Sequence, residues 1–536
     1  MLRKKGEYRI IAVTSLFFLL FLLLGVDYYA LSAEQKYVRA AEKNAELTID
    51  AGESQGTIYD RELVSLVNTH KTYKAAVIPQ AAEFEELMKY AADKDEFIKQ
   101  YDKGRPFVFE CTEDTPESDG VTVFELPVRY GADQIACHVT GYLSEGKGAD
   151  GIEYAYDSIL RNQNGSNTVS YITDGFGNVM IGDGKRVSRS NADKCGVVTT
   201  IDSEIQSICE RYGRNISKGA IIAADIKSGD ILAMVSFPSY STADIDKSLN
   251  DSNCPLINRC LYSYSVGSIF KLVTAAEAIE EDMGNMMYDC SGKIDISGQI
   301  FNCHKYDGHG LQDMTEAMTN SCNTYFIDIV KCLDTVKLRK RAEIMGFGRE
   351  NWLCAGITGS AGVLPTVDEL SVPAELANFS FGQGILSATP LQITQLTCAI
   401  ANSGEMPVLR LIRGLTVDGS FVSGEKDACL SRVMSEDTAD KLRKMMVNAV
   451  RENKNSNARS KVVSVGAKTS TAQTGRFDDK GEELCNGWIT GFFPSRKPKY
   501  ALTVLIEDGG YGNDSAAPVF RSIAEAVTKS HKHLQT

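Results

Sequence analysis

Apolar positions are densest near the start of the chain, where an uncharged run extends from Ile10 to Val26. Basic residues at positions 3–5 precede this run, and no comparable run recurs later. Extended through Tyr29, the run is just long enough to span the hydrocarbon core of a bilayer, and its basic flank favours a cytoplasmic N-terminus. We therefore predict a single-pass anchor in the cell membrane, with the rest of the chain outside. A cleaved signal peptide is the alternative, although residues 30–33 form a poor cleavage site.

Beyond the anchor, the pattern of polar and apolar positions changes twice. Residues 33–50 are polar and rich in Ala, Glu and Lys, which predicts a helical stalk. The next stretch, to about Cys195, mixes strand-like segments with an acidic helix-like one and indicates a separate α+β module. A strand over residues 196–201 then ends in Asp202, which is suited to cap a following helix. The predicted parts are a tail and transmembrane anchor (1–34), a membrane-proximal α+β domain (35–195) and a second α+β domain (196–536).

The C-terminal part carries strand signals near both of its ends. Apolar runs at 220–226 and 231–237 flank the turn-forming residues 227–230, which predicts a β-hairpin. Pro518 opens a predicted final helix, because proline is tolerated in a first turn. Further predicted strands span residues 462–467, 488–493 and 500–506. With helical patterns between them, these strands predict an antiparallel sheet covered by helices, in the α+β class.

The composition narrows the class of protein. The 536 residues carry a formal net charge of −13, which argues against nucleic-acid binding because phosphate contacts need clustered Lys and Arg. The 14 cysteines are scattered, without the compact spacing of a disulfide framework. Disulfides in an exported chain and buried free thiols in a reducing habitat both remain open.

The first candidate for chemistry is the motif Ser268-Ile269-Phe270-Lys271. A serine hydroxyl is a weak nucleophile at neutral pH and needs a base within hydrogen-bond reach. A helix that begins near Ser268 puts Ser268 and Lys271 on one face, with the serine where helix N–H groups favour developing negative charge. The motif alone is weak evidence, since such short patterns recur by chance.

Two further motifs strengthen this candidate. Ser321-Cys322-Asn323 lies downstream, where its serine can relay a proton and its amide can bond Lys271 and a substrate carbonyl. Lys468-Thr469-Ser470-Thr471 follows on a predicted strand, whose backbone can bind an extended peptide by strand addition and whose first two residues can hold a carboxylate. The S-x-x-K, S-x-N and K-T-x set, in this order, is the signature of penicillin-binding proteins and serine β-lactamases.

Several other segments resemble class B penicillin-binding proteins. Gln55–Arg61 resembles the first motif of that family's pedestal domain, and residues 151–160 resemble a later one. In the C-terminal part, the similar strings are Ile231–Ser236, Asn258-Arg259, Phe381–Gly384 and Thr389–Gln392. The resemblance runs from about Gln55 to the last helix. It implies that residues 35–195 form a pedestal domain of the dimerisation type, followed by a transpeptidase domain similar to serine β-lactamases.

The resemblance also implies an activity and a set of roles. The chain would be a peptidoglycan D,D-transpeptidase that cross-links stem peptides ending in D-Ala-D-Ala and is acylated by β-lactams. Ser268 would form the acyl-enzyme with Lys271 as its base, and Ser321 and Asn323 would line the other side of the cleft. Lys468 and Thr469 would recognise the carboxylate, and the backbone N–H groups of Ser268 and Thr471 would form the oxyanion hole. The residues implied to bind substrate are Thr469, Ser470 and Thr471.

Ser470 departs from the family, which usually has glycine at this position. Glycine lets the strand approach a ligand and the sheet behind it without a Cβ clash. We therefore expect altered β-lactam affinity or rate, before any loss of activity.

The stretch between the anchor and the catalytic domain is accounted for by the pedestal. Its length of roughly 160 residues leaves no room for a glycosyltransferase module of ordinary domain size. The resemblance therefore implies a multi-spanning membrane glycosyltransferase as a partner.

A second cluster of reactive residues lies between the first two motifs, with Cys290, Cys303, His304 and His309 close in sequence. Thiolate and imidazole ligands suit zinc, although this spacing fits no standard zinc finger. A Cys290–Cys303 disulfide, or buried thiols beside a loop histidine, stay open as alternatives. We expect that the reaction itself needs no cofactor. If a metal binds, we expect a structural zinc held by Cys290, Cys303 and His309 near the cleft.

Two rival functions stay open. A D,D-carboxypeptidase or β-lactamase would pass the acyl group to water, and a non-catalytic scaffold or β-lactam sensor would only keep the fold. The pedestal and the chain length disfavour the first rival. The intact serine, lysine and asparagine positions of the three motifs argue against the second. Roles in elongation, division and sporulation stay equally open.

Overall fold

The computed structural model describes residues 2–44, 46–162, 165–174, 176, 178–181, 184–424 and 427–533. The outer ends of the predicted parts, residues 1 and 536, lie outside these ranges. The chain forms two compact units. The smaller unit comprises Met1–Ser54, Lys71–Pro127 and Asn164–Asn191, and the larger comprises Gln55–His70, Val128–Gln163 and Ala192–Thr536.

A long N-terminal helix, Leu2–Asn44, carries the apolar run. Its segment Tyr8–Ser32 is long and apolar enough to cross a membrane, which matches the predicted anchor in position and length. The same helix continues into the polar stretch that we predicted as a stalk. It ends at Asn44, earlier than residue 50, and a strand begins at Glu46.

The smaller unit also contains two three-stranded sheets. Their strands, in spatial order, are Glu46–Ser54, Gly165–Ile172 and Arg186–Ser188, and Phe107–Cys111, His70–Val77 and Val121–Val128. The acidic segment predicted as helix-like over residues 81–101 forms two short helices, Phe84–Leu87 and Lys94–Tyr101. They are separate because Asp93 caps the second helix, where its side chain accepts a hydrogen bond from the Glu96 N–H. A 3₁₀ turn spans Pro79–Ala81.

The compact units do not follow the linear division at residue 195. Residues 55–70 and 128–163, placed by the sequence in the membrane-proximal domain, belong to the larger unit. Strand Thr57–Tyr59 pairs in parallel with Gly196–Thr199. The Ala136 N–H also donates to the Glu210 carboxylate at 2.8 Å. Pairings so remote along the chain leave no mark in local composition, which is why the linear boundary differs.

A five-stranded antiparallel sheet forms the centre of the larger unit. Its strands, in spatial order, are Ile231–Phe237, Gly219–Asp225, Tyr500–Ile506, Glu483–Phe493 and Gly466–Phe477. This order confirms the predicted hairpin and the predicted antiparallel pairing. The last strand, hereafter the edge strand, begins at Gly466, four residues later than predicted.

Helices cover both faces of this central sheet. Ile221 and Ala223 pack in one apolar cluster with the helices Ser203–Gly213 and Ala516–His533, while Ile222 packs in another with Pro390–Ala401 and Lys271–Glu280. This alternation follows from side chains that point to opposite faces of a strand. Asp202 caps the first of these helices as predicted, accepting from the N–H groups of Glu204 and Ile205.

The remaining elements of the larger unit surround this core. Its other helices are Cys137–Thr140, Gly151–Ala155, Asp157–Asn162, Asp246–Leu249, Met314–Thr319, Asn323–Val330, Thr335–Ile344, Val367–Leu370, Pro373–Ser380 and Glu436–Arg451, with 3₁₀ turns at Ala192–Lys194 and Gly267–Ile269. Its other strands are Leu143–Ser144, Lys147–Gly148, Tyr264–Ser265, Tyr288–Cys290, Lys293–Ile296, Gln299–Asn302, Gly310–Gln312, Asn351–Cys354, Ile357–Gly359, Ser387–Ala388, Glu405–Pro407, Ile412–Thr416 and Leu430–Arg432.

Candidate functional site

Ser268 lies in the 3₁₀ turn Gly267–Ile269, directly before the helix that begins at Lys271. It is partly exposed, whereas both of its neighbours are buried. Gly267 has a φ of +61°, a conformation that glycine adopts without strain. The Gly267 N–H donates to the Gly382 carbonyl at 2.8 Å. The turn thus presents the serine hydroxyl at a helix start, as the motif predicts.

Lys271 is fully buried, and its side chain connects the first motif to the second. Its Nζ donates to the Ser321 carbonyl and to Asn323 Oδ1, both at 2.7 Å, and lies 3.3 Å from Ser321 Oγ. Burial, and then the nearby charge of Lys468, lower the pKa of Lys271 well below its ordinary value. The lowered pKa favours the neutral form of this amine, which is the form that can accept a proton.

Ser321 occupies the sharp connection between the helices Met314–Thr319 and Asn323–Val330, with a φ of +51°. Such a conformation is uncommon outside glycine and marks a constrained position. Its hydroxyl accepts hydrogen bonds from Lys271 at 3.3 Å and from Lys468 at 3.0 Å. Ser321 therefore lies between the two lysines, where a hydroxyl can pass a proton from one side to the other.

Lys468 reaches this hydroxyl from the edge strand and is almost completely buried. Its Nζ also donates to the Thr469 carbonyl at 3.0 Å. Burial lowers the pKa of Lys468 to about 7. Thr469 and Thr471 are partly exposed, while Ser470 points into the protein and donates to the Val266 carbonyl at 2.8 Å. The structure therefore brings the three motifs together, and in the third motif Ser470 is buried between the partly exposed Thr469 and Thr471.

A cavity of about 150 Å³ opens beside this arrangement, lined by Ser321, Lys468 and Thr469 and by His304 on its far side. Of the motif residues, Ser321, Lys468 and Thr469 line this cavity. A serine at a helix start, a buried amine and a hydroxyl that bonds the amine are the parts needed for acyl transfer through a covalent intermediate.

The structure adds Cys322 to the cluster of Cys290, Cys303 and His309 that was predicted from the sequence. Sulfur and imidazole nitrogen atoms of Cys290, Cys303, His309 and Cys322 all lie within 4.8 Å of one another. The three cysteines are buried and the histidine is partly buried. Cys322 went unnoticed because it is the unspecified middle residue of the Ser-x-Asn motif. The signal that could have found it is the need of a structural zinc for a fourth ligand.

Three separations within this thiol cluster match those of a tetrahedral metal site. Zinc bonded to sulfur at about 2.3 Å and to nitrogen at about 2.05 Å places two sulfurs roughly 3.8 Å apart, and a sulfur and a nitrogen roughly 3.6 Å apart. The Cys303 and Cys322 sulfurs are 3.8 Å apart. His309 Nδ1 lies 3.6 Å from the Cys290 sulfur and 3.5 Å from the Cys303 sulfur.

The cysteines are free thiols in this structure. All fourteen lie in the part of the chain that the structure describes, and none of them forms a disulfide.

His304 is exposed and its Nδ1 lies 3.9 Å from the Cys303 sulfur, so it stands outside the group of four. Burial lowers the pKa of His309, which keeps the imidazole in its neutral form.

Known proteins share both the sequence pattern and the fold. The family described as penicillin binding protein transpeptidase domain matches residues 219–525. Stage V sporulation protein D of Bacillus subtilis (strain 168) is 30% identical over 484 residues, covering 85% of this chain and 72% of that protein. Peptidoglycan D,D-transpeptidase PbpA of Mycolicibacterium smegmatis is 28% identical over 423 residues, covering 73% of this chain and 82% of that protein.

Solved structures share the fold of this chain along nearly its whole length. A structure on the coordination of polymerization and crosslinking by a peptidoglycan synthase complex superposes with a TM-score of 0.71 at 24% identity, covering 97% of this chain and 98% of that one. The imipenem acyl-enzyme complex of penicillin-binding protein A from M. tuberculosis gives a TM-score of 0.64 at 22% identity, covering 88% and 98%. At these identities the likeness shows the fold alone, and it confirms the expected α+β architecture.

The family match covers more than half of the chain, and the Bacillus relative aligns along most of its own length. The three motifs that carried the resemblance lie inside the matched region. This chain belongs to the penicillin-binding proteins with a transpeptidase domain, and within them to class B.

Proposed function

We propose that this protein is a peptidoglycan D,D-transpeptidase that acts through a Ser268 acyl-enzyme. The observation that carries the proposal is the convergence of three distant motifs on Ser321, whose hydroxyl is bonded by both Lys271 and Lys468. The name of the Mycolicibacterium relative, a peptidoglycan D,D-transpeptidase, supports the same reaction. The substrates are stem peptides that end in D-Ala-D-Ala, and β-lactams are inhibitors.

The first half-reaction forms the acyl-enzyme. Neutral Lys271 takes the hydroxyl proton as the Ser268 oxygen bonds to the carbonyl carbon between the two D-alanines. The C–N bond then breaks, and the leaving D-alanine amine receives a proton by way of Ser321. Protonated Lys468, with Thr469, binds the terminal carboxylate. Backbone N–H groups of Ser268 and Thr471 stabilise the oxyanion.

The second half-reaction transfers the acyl group. The amine of a second stem peptide attacks the ester, gives up a proton to the lysine and serine network, and releases the Ser268 hydroxyl. The partly exposed side of the edge strand, with Thr469 and Thr471, is open to an extended peptide that adds as a further strand.

The location and partners follow from the anchor and the relatives. The helix Tyr8–Ser32 is long and apolar enough to cross a membrane, and we propose that it holds the catalytic unit outside the cell membrane. A structural relative belongs to a peptidoglycan synthase complex, and another is a penicillin-binding protein bound to MreC. These relatives support the proposal that a multi-spanning glycosyltransferase supplies the glycan strands.

Labelling with a fluorescent penicillin tests the nucleophile. We expect the full-length wild type to form a stable covalent adduct and Ser268→Ala to form none. Ser144→Ala is the matched control, because Ser144 also begins an S-x-x-K string, and it should label like the wild type. An unlabelled wild type would remove the catalytic proposal and leave the scaffold. Rapid, sustained penicillin hydrolysis would favour a β-lactamase instead.

We also propose that Cys290, Cys303, His309 and Cys322 bind one structural zinc ion. This set contains the three ligands predicted from sequence and adds Cys322. The match of the sulfur and nitrogen separations to a tetrahedral site carries the proposal. The Thr324 hydroxyl, which lies 3.1 Å from the Cys290 sulfur, is an outer partner of the kind that fixes a metal ligand.

Metal analysis of the full chain, purified without chelator, tests this site. We expect about one zinc per chain in the wild type and in Cys398→Ser, a buried cysteine outside the cluster. Cys303→Ser should lose most of the metal. Less than about a tenth of an equivalent in the wild type would end the proposal, given the tight binding usual for such sites.

A further inference from the structure

Ser470 is the residue of the third motif that points away from the cleft. Its side chain is only 3% exposed, and its hydroxyl donates to the Val266 carbonyl at 2.8 Å. Val266 lies two residues before Ser268 and is itself buried. The bond therefore joins the edge strand, which carries Lys468 and Thr469, to the turn that carries the nucleophile.

Gly267 is the counterpart of Ser470 across this contact. A Cβ atom placed on Gly267 would lie 2.4 Å from the Ser470 oxygen and 3.2 Å from the Thr471 carbonyl oxygen. The serine hydroxyl thus fills the space that the missing side chain leaves. A serine on the strand fits here because the turn has a glycine, so no Cβ clash arises.

Trp488 makes a second contact of the same kind. Its indole N–H donates to the Ser265 carbonyl at 3.1 Å. Trp488 is directly opposite Ser470 in the pairing of the edge strand with its neighbour, and it is fully buried. Two neighbouring strands therefore hold two successive carbonyl groups of the segment that leads to Ser268.

We propose that Ser470 is a positioning residue, which fixes the spacing between the nucleophile turn and the edge strand. This inference rests on the proposed function, since it concerns how that reaction is organised. The hydroxyl touches neither substrate nor the reacting atoms. It acts through Val266, one peptide unit before the Gly267-Ser268 turn. A displacement of reacting groups by about 1 Å can cost on the order of a hundredfold in rate, so a single bond at this place influences turnover.

Steady-state kinetics on the full-length enzyme test the proposal with Ser470→Ala and Ser470→Gly. The substrate is a D-alanyl thioester analogue of the stem peptide, and penicillin acylation is followed in parallel. We expect kcat and the acylation rate constant to fall about tenfold in both variants, while KM stays within about twofold. The reason is that the carboxylate contacts remain on the strand, whereas the serine is no longer held at the correct distance from them.

The matched control is Thr503→Val, which removes another buried hydroxyl from the same sheet. Thr503 bonds Thr394 and Thr490 at 2.8 Å, and both partners lie outside the nucleophile turn. It should lower the melting temperature by an amount similar to that in Ser470→Ala and leave kcat within about twofold.

Three results overturn the proposal. An unchanged kcat in both Ser470 variants would show that the bond is only structural, and an equal fall in Thr503→Val would show a general loss of stability. A wild type that is not acylated would overturn the proposed function, and this inference with it. Acylation of the wild type with no effect at Ser470 would overturn the inference alone.

Discussion

The lysine site and the thiol cluster use the same three residues in opposite ways. Ser321 and Asn323 direct their side chains to Lys271, whereas Cys322 between them directs its sulfur to Cys303. One region is a set of polar groups that moves protons, and the other is a set of soft ligands suited to hold an ion in place. The middle residue of a catalytic motif, which the motif leaves unspecified, can therefore belong to a second site.

The two regions also differ in what burial does to them. Burial lowers the pKa of both lysines, and for Lys271 this favours the neutral amine that the role of base needs. In the thiol cluster, the hydrogen bond between Cys303 and Cys322 lowers the pKa of Cys303, which favours the thiolate that binds metals. Burial thus favours the neutral amine in the lysine site, whereas in the thiol cluster burial opposes the thiolate and the hydrogen bond outweighs it.

The largest expected effect separates the lysine site from the cluster. Lys271→Ala removes the base, so the rate constant of penicillin acylation should fall about a thousandfold or more. The measurement is stopped-flow acylation of the full chain. Lys331→Ala, at an exposed lysine on a neighbouring helix end, is the control and should change the rate by less than about twofold. A fall of less than about tenfold in Lys271→Ala would contradict the role of this amine.

Cys322→Ser tests whether the two regions are coupled. If zinc binds Cys322, the substitution removes one ligand and the segment that positions Ser321 and Asn323 is no longer held by the metal. We therefore expect acylation to slow by about 10–100-fold. Zinc content and acylation are measured on the same sample, with Cys398→Ser as control. Loss of zinc with unchanged acylation would show that the regions are independent.

The pH dependence of kcat/KM tests whether the charge of Lys468 binds the substrate carboxylate. Its charge is present below about pH 7 and is lost as the pH rises through the lowered pKa of about 7. Since the charged form binds the carboxylate, kcat/KM should fall about tenfold between roughly pH 7 and pH 8.5. Lys468→Arg, which keeps its charge, should move this alkaline limb upward. A limb that stays in place in Lys468→Arg would assign it to another group.

Thr324→Val gives the smallest expected change in rate. It removes the hydroxyl beside the Cys290 sulfur but leaves the four ligands and both lysines. Zinc affinity, measured by competition with a chelator, should weaken about tenfold. The acylation rate should stay within about twofold. An acylation loss as large as that of Cys322→Ser would indicate that Thr324 acts on the lysine site directly.

Local patterns were sufficient for much of the fold. The apolar run predicted the N-terminal helix, and the turn residues between two apolar strands predicted the hairpin at Gly219–Asp225 and Ile231–Phe237. Asp202 marked a helix start because an aspartate cap acts within three residues. The domain boundary was harder to predict from the sequence. Thr57–Tyr59 belongs to the larger unit because it pairs with a strand far along the chain.

Residue type and spacing were enough to predict which residues can do chemistry, because a nucleophile, a base and a metal ligand are each a property of a side chain. Ser268, Lys271, Ser321, Asn323 and Lys468 were all predicted this way, as were three of the four thiol-cluster residues. Only the tertiary structure decided that Ser321 lies between two lysines, that Cys322 completes the cluster, and that Ser470 turns inward to Val266. Burial and side-chain direction depend on tertiary neighbours, and these lie from 19 residues away along the chain, for Cys303 and Cys322, to 204 residues away, for Val266 and Ser470.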